Sequence, residues 1–258
     1  MTPNTYNAVD THTHLCDPLF DKDREEVIKR ARVVGVSAIV VVSETLSDVH
    51  RNLELAANYP LLWPAGGLYP THLDLSEAKK ISALMRKERH KFFAIGEVGL
   101  DYWIVKQESE REVQHEIFKE FIDLSIELDL PLNIHSRSAG RQAIEILLEH
   151  RARKVQLHAF DGKAASALPA VEEGFFFSIP PSVIRSPQKQ KLVRRLPLSN
   201  LLVETDSPVL GPTNKERNEP SNVMISVNAI SELKNISEEE VLETVFENTY
   251  RLYGDLNP

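Results

Sequence analysis

Ser37-Ala38-Ile39-Val40-Val41-Val42-Ser43 is an unbroken apolar, β-branched run flanked by stretches of helical spacing. A strand that is apolar on both faces needs cover on both, which is the situation of a parallel sheet packed between helices. Upstream, residues 21–34 place Val27, Ile28, Ala31 and Val34 at helical intervals among charges, and Gly35 ends them as a C-terminal cap does. Downstream the alternation continues. Helices are predicted at 46–58, 76–89, 108–128, 139–150, 164–173 and 188–196, with strands at 63–68, 92–98, 132–135, 154–158, 174–178 and 201–206. Two further helices, at 221–233 and 238–250, close the chain. Adding a first strand at Val9–Leu15 gives eight strands, each followed by a helix, which is the count of a (β/α)8 TIM barrel. No Gly-, Pro- or Ser-rich linker divides residues 1–258, so a single domain is expected.

Composition narrows the function. The 258 residues carry 30 Lys and Arg against 38 Asp and Glu, a net charge of −8. That argues against a broad basic surface for nucleic acid, so any phosphate contact has to be local. Cys16 is the only cysteine, which excludes an internal disulfide and points to a reducing compartment. Its expected state is a small buried hydrophobe rather than a thiolate. Met1 to Ala8 is short and polar, with no apolar core of a signal peptide. Apolar runs such as Ala38 to Val42 fall far short of a membrane span. The expected location is therefore intracellular, cytoplasmic or nuclear.

In this fold, side chains at the C-terminal ends of strands gather at one mouth, where the chemistry lies. Those ends carry His12 and His14 on the first strand, Glu97 on the fourth, His135 on the fifth, His158 on the sixth and Asp206 on the eighth. Side chains two apart on a strand point the same way, so His12 and His14 form a metal clamp that lacks its other ligands. The spacings agree with convergence. His135 to His158 is 23 residues, one βα unit; His158 to Asp206 is 48, about two; His14 to Glu97 is 83, room for two intervening strands.

Four imidazoles and two carboxylates suit divalent ions such as Zn²⁺, Mn²⁺ or Mg²⁺. Six ligands exceed the need of one tetrahedral ion, so two ions are expected, bridged by the two oxygens of Glu97 and activating a water between them. Asp206, beside such cations, stays ionised and is suited to bind metal, orient that water and accept its proton. Glu97 and Asp206 are thus the expected catalytic groups. Asp10 and Glu204, two residues before His12 and Asp206, are candidates for holding imidazoles in orientation. Basic residues follow the ligands: Arg137, Arg141, Lys163, Arg185 and Lys189. Arg137 and Arg141 read as contacts for phosphate or another anion, Lys163 and Lys189 as ordinary surface charge. His72, after the third strand, is a candidate substrate contact. His50, His90, His115 and His150 fall on helices among charges and read as solvated surface.

The stretches Asp10–Leu15, Ile95–Asp101, Asn133–Arg137, Leu157–Gly162 and Glu204–Pro208 resemble, in order, the signatures of the TatD-type metal-dependent deoxyribonucleases, across nearly the whole chain. His135–Arg141, Phe176–Pro181 and Arg217–Pro220 look most like a eukaryotic branch of that family, the TatD domain-containing protein 3 branch. The resemblance implies an amidohydrolase-like TIM-barrel hydrolase with two divalent ions per subunit, acting on DNA as a 3′-exonuclease and at abasic sites. It further implies His12, His14, Glu97 and Asp206 around one ion, and Glu97, His135 and His158 around the other. DNA is then the expected partner, with no obligate protein partner and no membrane.

One departure stands out: many relatives carry Gly-x-His-Pro where this chain has Gly67-Leu68-Tyr69-Pro70. Tyr69 still offers a hydrogen bond to a phosphate. The rival expectation is an amidohydrolase-like esterase, lactonase or deaminase acting on a small anionic substrate, which the acidic net charge suits. Members that use a carbamylated lysine need Lys where this chain has Glu97.

Overall fold

The computed structural model describes residues 7–254, so the first six positions, which belong to the segment read for a leader, lie outside the described residues. Eight strands run parallel in chain order: β1 (Ala8–Thr13), β2 (Val36–Val41), β3 (Leu62–Gly66), β4 (Ala94–Gly99), β5 (Leu132–His135), β6 (Val155–Leu157), β7 (Phe176–Ile179) and β8 (Leu201–Val203). The helices between them are α1 (Arg24–Val33), α2 (Leu46–Asn58), α3 (Leu75–Lys87), α4 (Glu108–Leu128), α5 (Gly140–Glu149), α6 (Leu168–Glu172) and α7 (Pro187–Arg195), followed by α8 (Val223–Lys234) and α9 (Glu238–Tyr253). This is the (β/α)8 barrel expected from the alternation.

Side-chain caps start several helices by satisfying amides that have no intrahelical acceptor. Thr45 and Asp48 form a capping box at α2, Asp74 caps α3, and Ser186 caps α7 by accepting from the Lys189 amide. Most element ends shift by one to four residues from expectation, and two of these shifts have a local cause. The helix predicted from 164 opens with a 3-10 turn, Ala164–Ala167, before α6. The last strand stops at Val203 rather than 206 because Asp206 adopts φ 56°, a left-handed conformation that a strand cannot contain.

The seam between β1 and the segment after β8 closes the barrel. Asp206 N–H donates to His12 O at 2.8 Å, His14 N–H to Ser207 O at 2.8 Å, and Thr11 Oγ1 to Val203 O at 2.9 Å. Along β2, Ile39 and Val41 belong to the large cluster shared with the helices, whereas Ala38, Val40 and Val42 belong to a smaller one. Alternation puts these two sets on opposite faces of the sheet, so both faces are packed.

Beneath the mouth a hydrogen-bonded polar layer replaces apolar packing. Gln156 Nε2 donates to Thr11 Oγ1 (3.0 Å) and Ser178 Oγ (2.8 Å), Ser178 Oγ donates to Glu204 (2.6 Å), and Tyr253 Oη donates to Gln156 Oε1 (2.6 Å). Tyr253 ends α9, so the last helix ties into the floor of the site.

Candidate metal centre

All six side chains chosen from the strand ends converge. His12 lies within β1 and His14 one residue past it; Glu97 is within β4, His135 ends β5, and His158 and Asp206 follow β6 and β8. Their ligand atoms form two groups that share Glu97. On one side, His12 Nε2 and His14 Nε2 are 3.3 Å apart, and each lies 3.4 Å from Asp206 Oδ1. Glu97 Oε2 is 3.6 Å from His12 Nε2 and 3.4 Å from His14 Nε2. On the other side, Glu97 Oε1 lies 2.6 Å from His135 Nδ1 and 3.0 Å from His158 Nε2, with 3.3 Å between those nitrogens.

The first group fits a cation. Glu97 Oε2 is buried and has no hydrogen-bond partner, an arrangement that costs free energy unless a positive charge meets it. A tetrahedral ion with bonds of about 2.0–2.1 Å separates its ligands by roughly 3.3–3.4 Å, close to the spacings observed.

Each imidazole turns one nitrogen to these groups; the other meets a polar partner in His12, His14 and His135, whereas that of His158 has no hydrogen bond. Asn133 donates from Nδ2 to Thr11 O (2.8 Å), so its Oδ1 accepts from His12 Nδ1–H (2.7 Å), leaving the Nε2 lone pair aimed at the site. His135 Nε2 meets Asp101 at 3.1 Å, His14 Nδ1 meets Glu44 at 3.4 Å, and His158 Nδ1 faces Glu204 at 3.8 Å. Such outer partners set the tautomer and strengthen the ligand.

Charge in the site is one-sided. Burial alone would raise the Glu97 carboxyl, but His158, His135 and His12 reverse this and hold it well below the ordinary carboxylate range. Burial opposes charge on His135 and His158, yet Glu97 keeps both raised; Asp206 and Glu97 do the same for His14. Burial also works against the Asp206 carboxylate, which His14 nevertheless keeps low. Carboxylates that hold protons on their imidazoles can equally hold a divalent cation in the protons' place.

Other expectations fare unevenly. Glu204 does face an imidazole, that of His158, and also accepts from the Ala159 amide at 2.8 Å. Asp10 touches no imidazole ring: it accepts from the Thr205 amide (2.8 Å) and Thr205 Oγ1, because β1 and the segment after β8 meet there, and so fastens the barrel seam. Tyr69 lines the mouth with its ring edge-on to His135, 4.9 Å between centroids, and burial pushes its phenol up so that it stays a donor. His72 is exposed beside Tyr69. Arg137 lines the cavity, whereas Arg141 points into solvent from α5, with its nearest carboxylate, Glu145, 3.7 Å away.

Lys163 is exposed, but Lys189 is buried against the cavity wall, because the first turn of α7 brings it onto the loop after β6, where Nζ donates to Ala159 O. His115, read as solvated, is half-buried and bonded to Tyr102 Oη at 2.6 Å. Burial pushes the Cys16 thiol up to about 12, so it is no thiolate. Asn133, Asp101 and Glu44 were not legible as partners. Asn133 precedes His135 by two, the offset that singled out Asp10 and Glu204, but its contact crosses the barrel to His12.

A family model described as "TatD related DNase" matches residues 9–254. The human protein named deoxyribonuclease TATDN3 is 40% identical over 260 residues, covering 96% of this chain and 95% of that protein. A Bacillus subtilis protein named as an uncharacterized metal-dependent hydrolase, YabD, is 37% identical over 257 residues, covering 95% and 98%. Among solved structures, the TatD homologue YjjV of Escherichia coli K12 superposes with a TM-score of 0.88 at 27% identity, covering 97% of this chain and 99% of that one.

Proposed function

The chain belongs to the TatD related DNase family, metal-dependent hydrolases acting on ester bonds, and on that premise we propose that it cleaves phosphodiesters of DNA, as a 3′-exonuclease and at abasic sites. The observation that carries the reading is that the two oxygens of Glu97 face two separate groups of imidazole nitrogens. His12, His14, Asp206 and Glu97 Oε2 would hold one divalent ion; His135, His158 and Glu97 Oε1 would hold a second. Zn²⁺, Mn²⁺ and Mg²⁺ all suit this mixed nitrogen and oxygen set. Bound ions supply Lewis acidity, which polarises the phosphoryl group and makes water a competent nucleophile near neutral pH.

The chain's own groups do the rest. Asp206, kept charged, borders the cavity of about 420 Å³ at the mouth and is the carboxylate suited to orient the attacking water and take its proton. As the new P–O bond forms, the bond to the departing sugar oxygen breaks. The imidazoles of His12, His135 and His14 hold position through Asn133, Asp101 and Glu44, and Tyr69 offers its hydroxyl to a phosphoryl oxygen. Asp10 supports the site indirectly, through the seam.

A DNA strand, rather than a small ester, is favoured by the loop after β4. There Trp103 is 56% exposed, with Arg137 Cζ at 5.2 Å and Lys106 Nζ at 5.3 Å from its ring. An exposed indole with two cations beside it suits a stacked base on a backbone. Among the described residues no helix is long and apolar enough to cross a membrane, and an intracellular site of action is part of the proposal.

The test compares 3′- and 5′-labelled oligonucleotides, an abasic duplex, a lactone and a small phosphodiester, each with chelator and with Zn²⁺, Mn²⁺ or Mg²⁺ restored. Stepwise shortening from the 3′ end, and nicking at the abasic site, both abolished by chelator, are expected. Inert DNA beside rapid turnover of the lactone would replace this reading with the small-substrate one.

A further inference from the structure

Lys189 is the one lysine buried among the described residues, 8% exposed, and it lines the cavity that His158 and Asp206 also line. Nζ donates to Ala159 O at 2.7 Å. It makes no ion pair with a described residue; Glu204, Asp161 and Asp206 act on it only through space. An ammonium taken out of water with one of its three donors engaged is costly, and removing such a charge from a protein often stabilises it. Burial accordingly lowers its affinity for the proton.

A second unmatched group lies on the same wall: Ser136 lines the same cavity, next to Arg137, and its Oγ is buried with no partner. A buried cation, an idle hydroxyl and a guanidinium around one cavity form a set of donors that lacks its acceptor. A tetrahedral oxyanion, with several acceptor oxygens and negative charge, supplies what they lack.

We propose that Lys189, Ser136 and Arg137 form a receptor for a phosphoryl group of the substrate, beside the group that reacts. The inference rests on the reading of the mouth as a phosphodiesterase site and adds which of its walls holds phosphate. Lys189 is a binding residue here, and its bond to Ala159 O sets its direction.

The probe is inorganic phosphate, added to the full metal-loaded chain and read by thermal shift and by competitive inhibition of oligonucleotide cleavage. In Lys189→Met, phosphate affinity is expected to fall about tenfold or more, the usual size of a lost charge-assisted hydrogen bond. Lys189→Arg should retain most of it. The KM for an oligonucleotide should rise with the loss, and the melting temperature without phosphate should not drop. Ser136→Ala gives an independent reading, with a smaller loss of phosphate affinity. Unchanged phosphate affinity in Lys189→Met and Ser136→Ala overturns the receptor, as does a lower melting temperature with unchanged affinity, the mark of a purely structural lysine. If wild-type protein cleaves DNA while phosphate binding ignores Lys189, the receptor falls and the nuclease reading stands. If DNA is inert while phosphate binding still depends on Lys189, the nuclease reading falls and the receptor stands.

Discussion

Glu97 joins the two halves of the centre, and a carboxylate is the side chain that does so with one charge and two oxygens. Glu97→Gln keeps the shape but puts an amide where an anionic oxygen stood between two imidazole nitrogens. Its metal content should fall, measured by elemental analysis of purified protein, and hydrolysis should drop by more than about 100-fold while the far-ultraviolet dichroism is unchanged. Full activity in this variant would remove Glu97 from the centre. Asn133 works one step further out, by setting the His12 tautomer. Asn133→Ala should weaken metal affinity by about 10–100-fold, read by competition with a chelator of known strength. The six converging residues were legible because each is a metal-ligand type at a strand end. Asn133, Asp101 and Glu44 were not, because their contacts depend on ring orientations that sequence spacing does not encode.

The loops that leave the strands carry the fastening and, in the proposed function, the contacts to DNA. Trp103 is the exposed tryptophan and Trp63 the buried one, so the two report different environments. Trp103→Ala should raise the KM for an oligonucleotide in keeping with the loss of about 1–3 kcal/mol of base stacking, while turnover of a small phosphodiester stays as it was. Equal effects on both substrates would deny a stacking role. The long segment after β8 is clamped to α1: Arg30 forms a forked bond with Glu219 (2.6–3.1 Å), and Arg217 another with Asp23 (2.6 and 2.8 Å).

Arg30 holds the Glu219 carboxyl below its ordinary range. A carboxyl so depressed adds stability that is present above its unfolded pKa, about 4.3, and is lost as pH falls through the lower folded value. Glu219→Gln should therefore lower stability near neutral pH by at most about 1 kcal/mol, since the pair is partly solvated and screened. The difference from wild type should close as the pH drops below about 4. Urea unfolding at a series of pH values reads this directly, and a difference that persists in acid would mean the clamp acts by packing.

At the scale of the whole barrel, the candidate ligands come from β1, β4 and β5 and from the segments following β1, β6 and β8, so ions bound between them would brace the ring across its open end. Binding to the folded state alone adds about 4 kcal/mol when free ion is at roughly 1,000 times Kd. Chelation should lower the melting temperature, and restoring the ion should recover it; an unmoved melting temperature would mean that these residues hold no ion.

The amino-acid order by itself determined the alternation of strand and helix, the parallel sheet and the six candidate ligands at the strand ends, because periodicity and residue type are local properties of a chain. Tertiary structure alone decided that Asp10 fastens the seam instead of an imidazole, that Arg141 faces water, and that Lys189 is buried at the cavity wall. Those outcomes depend on which elements meet across the closed barrel and on where the first turn of α7 meets the loop after β6. Contacts between residues far apart in the chain arise only when the ring closes, and so burial and pairing follow from closure rather than from spacing.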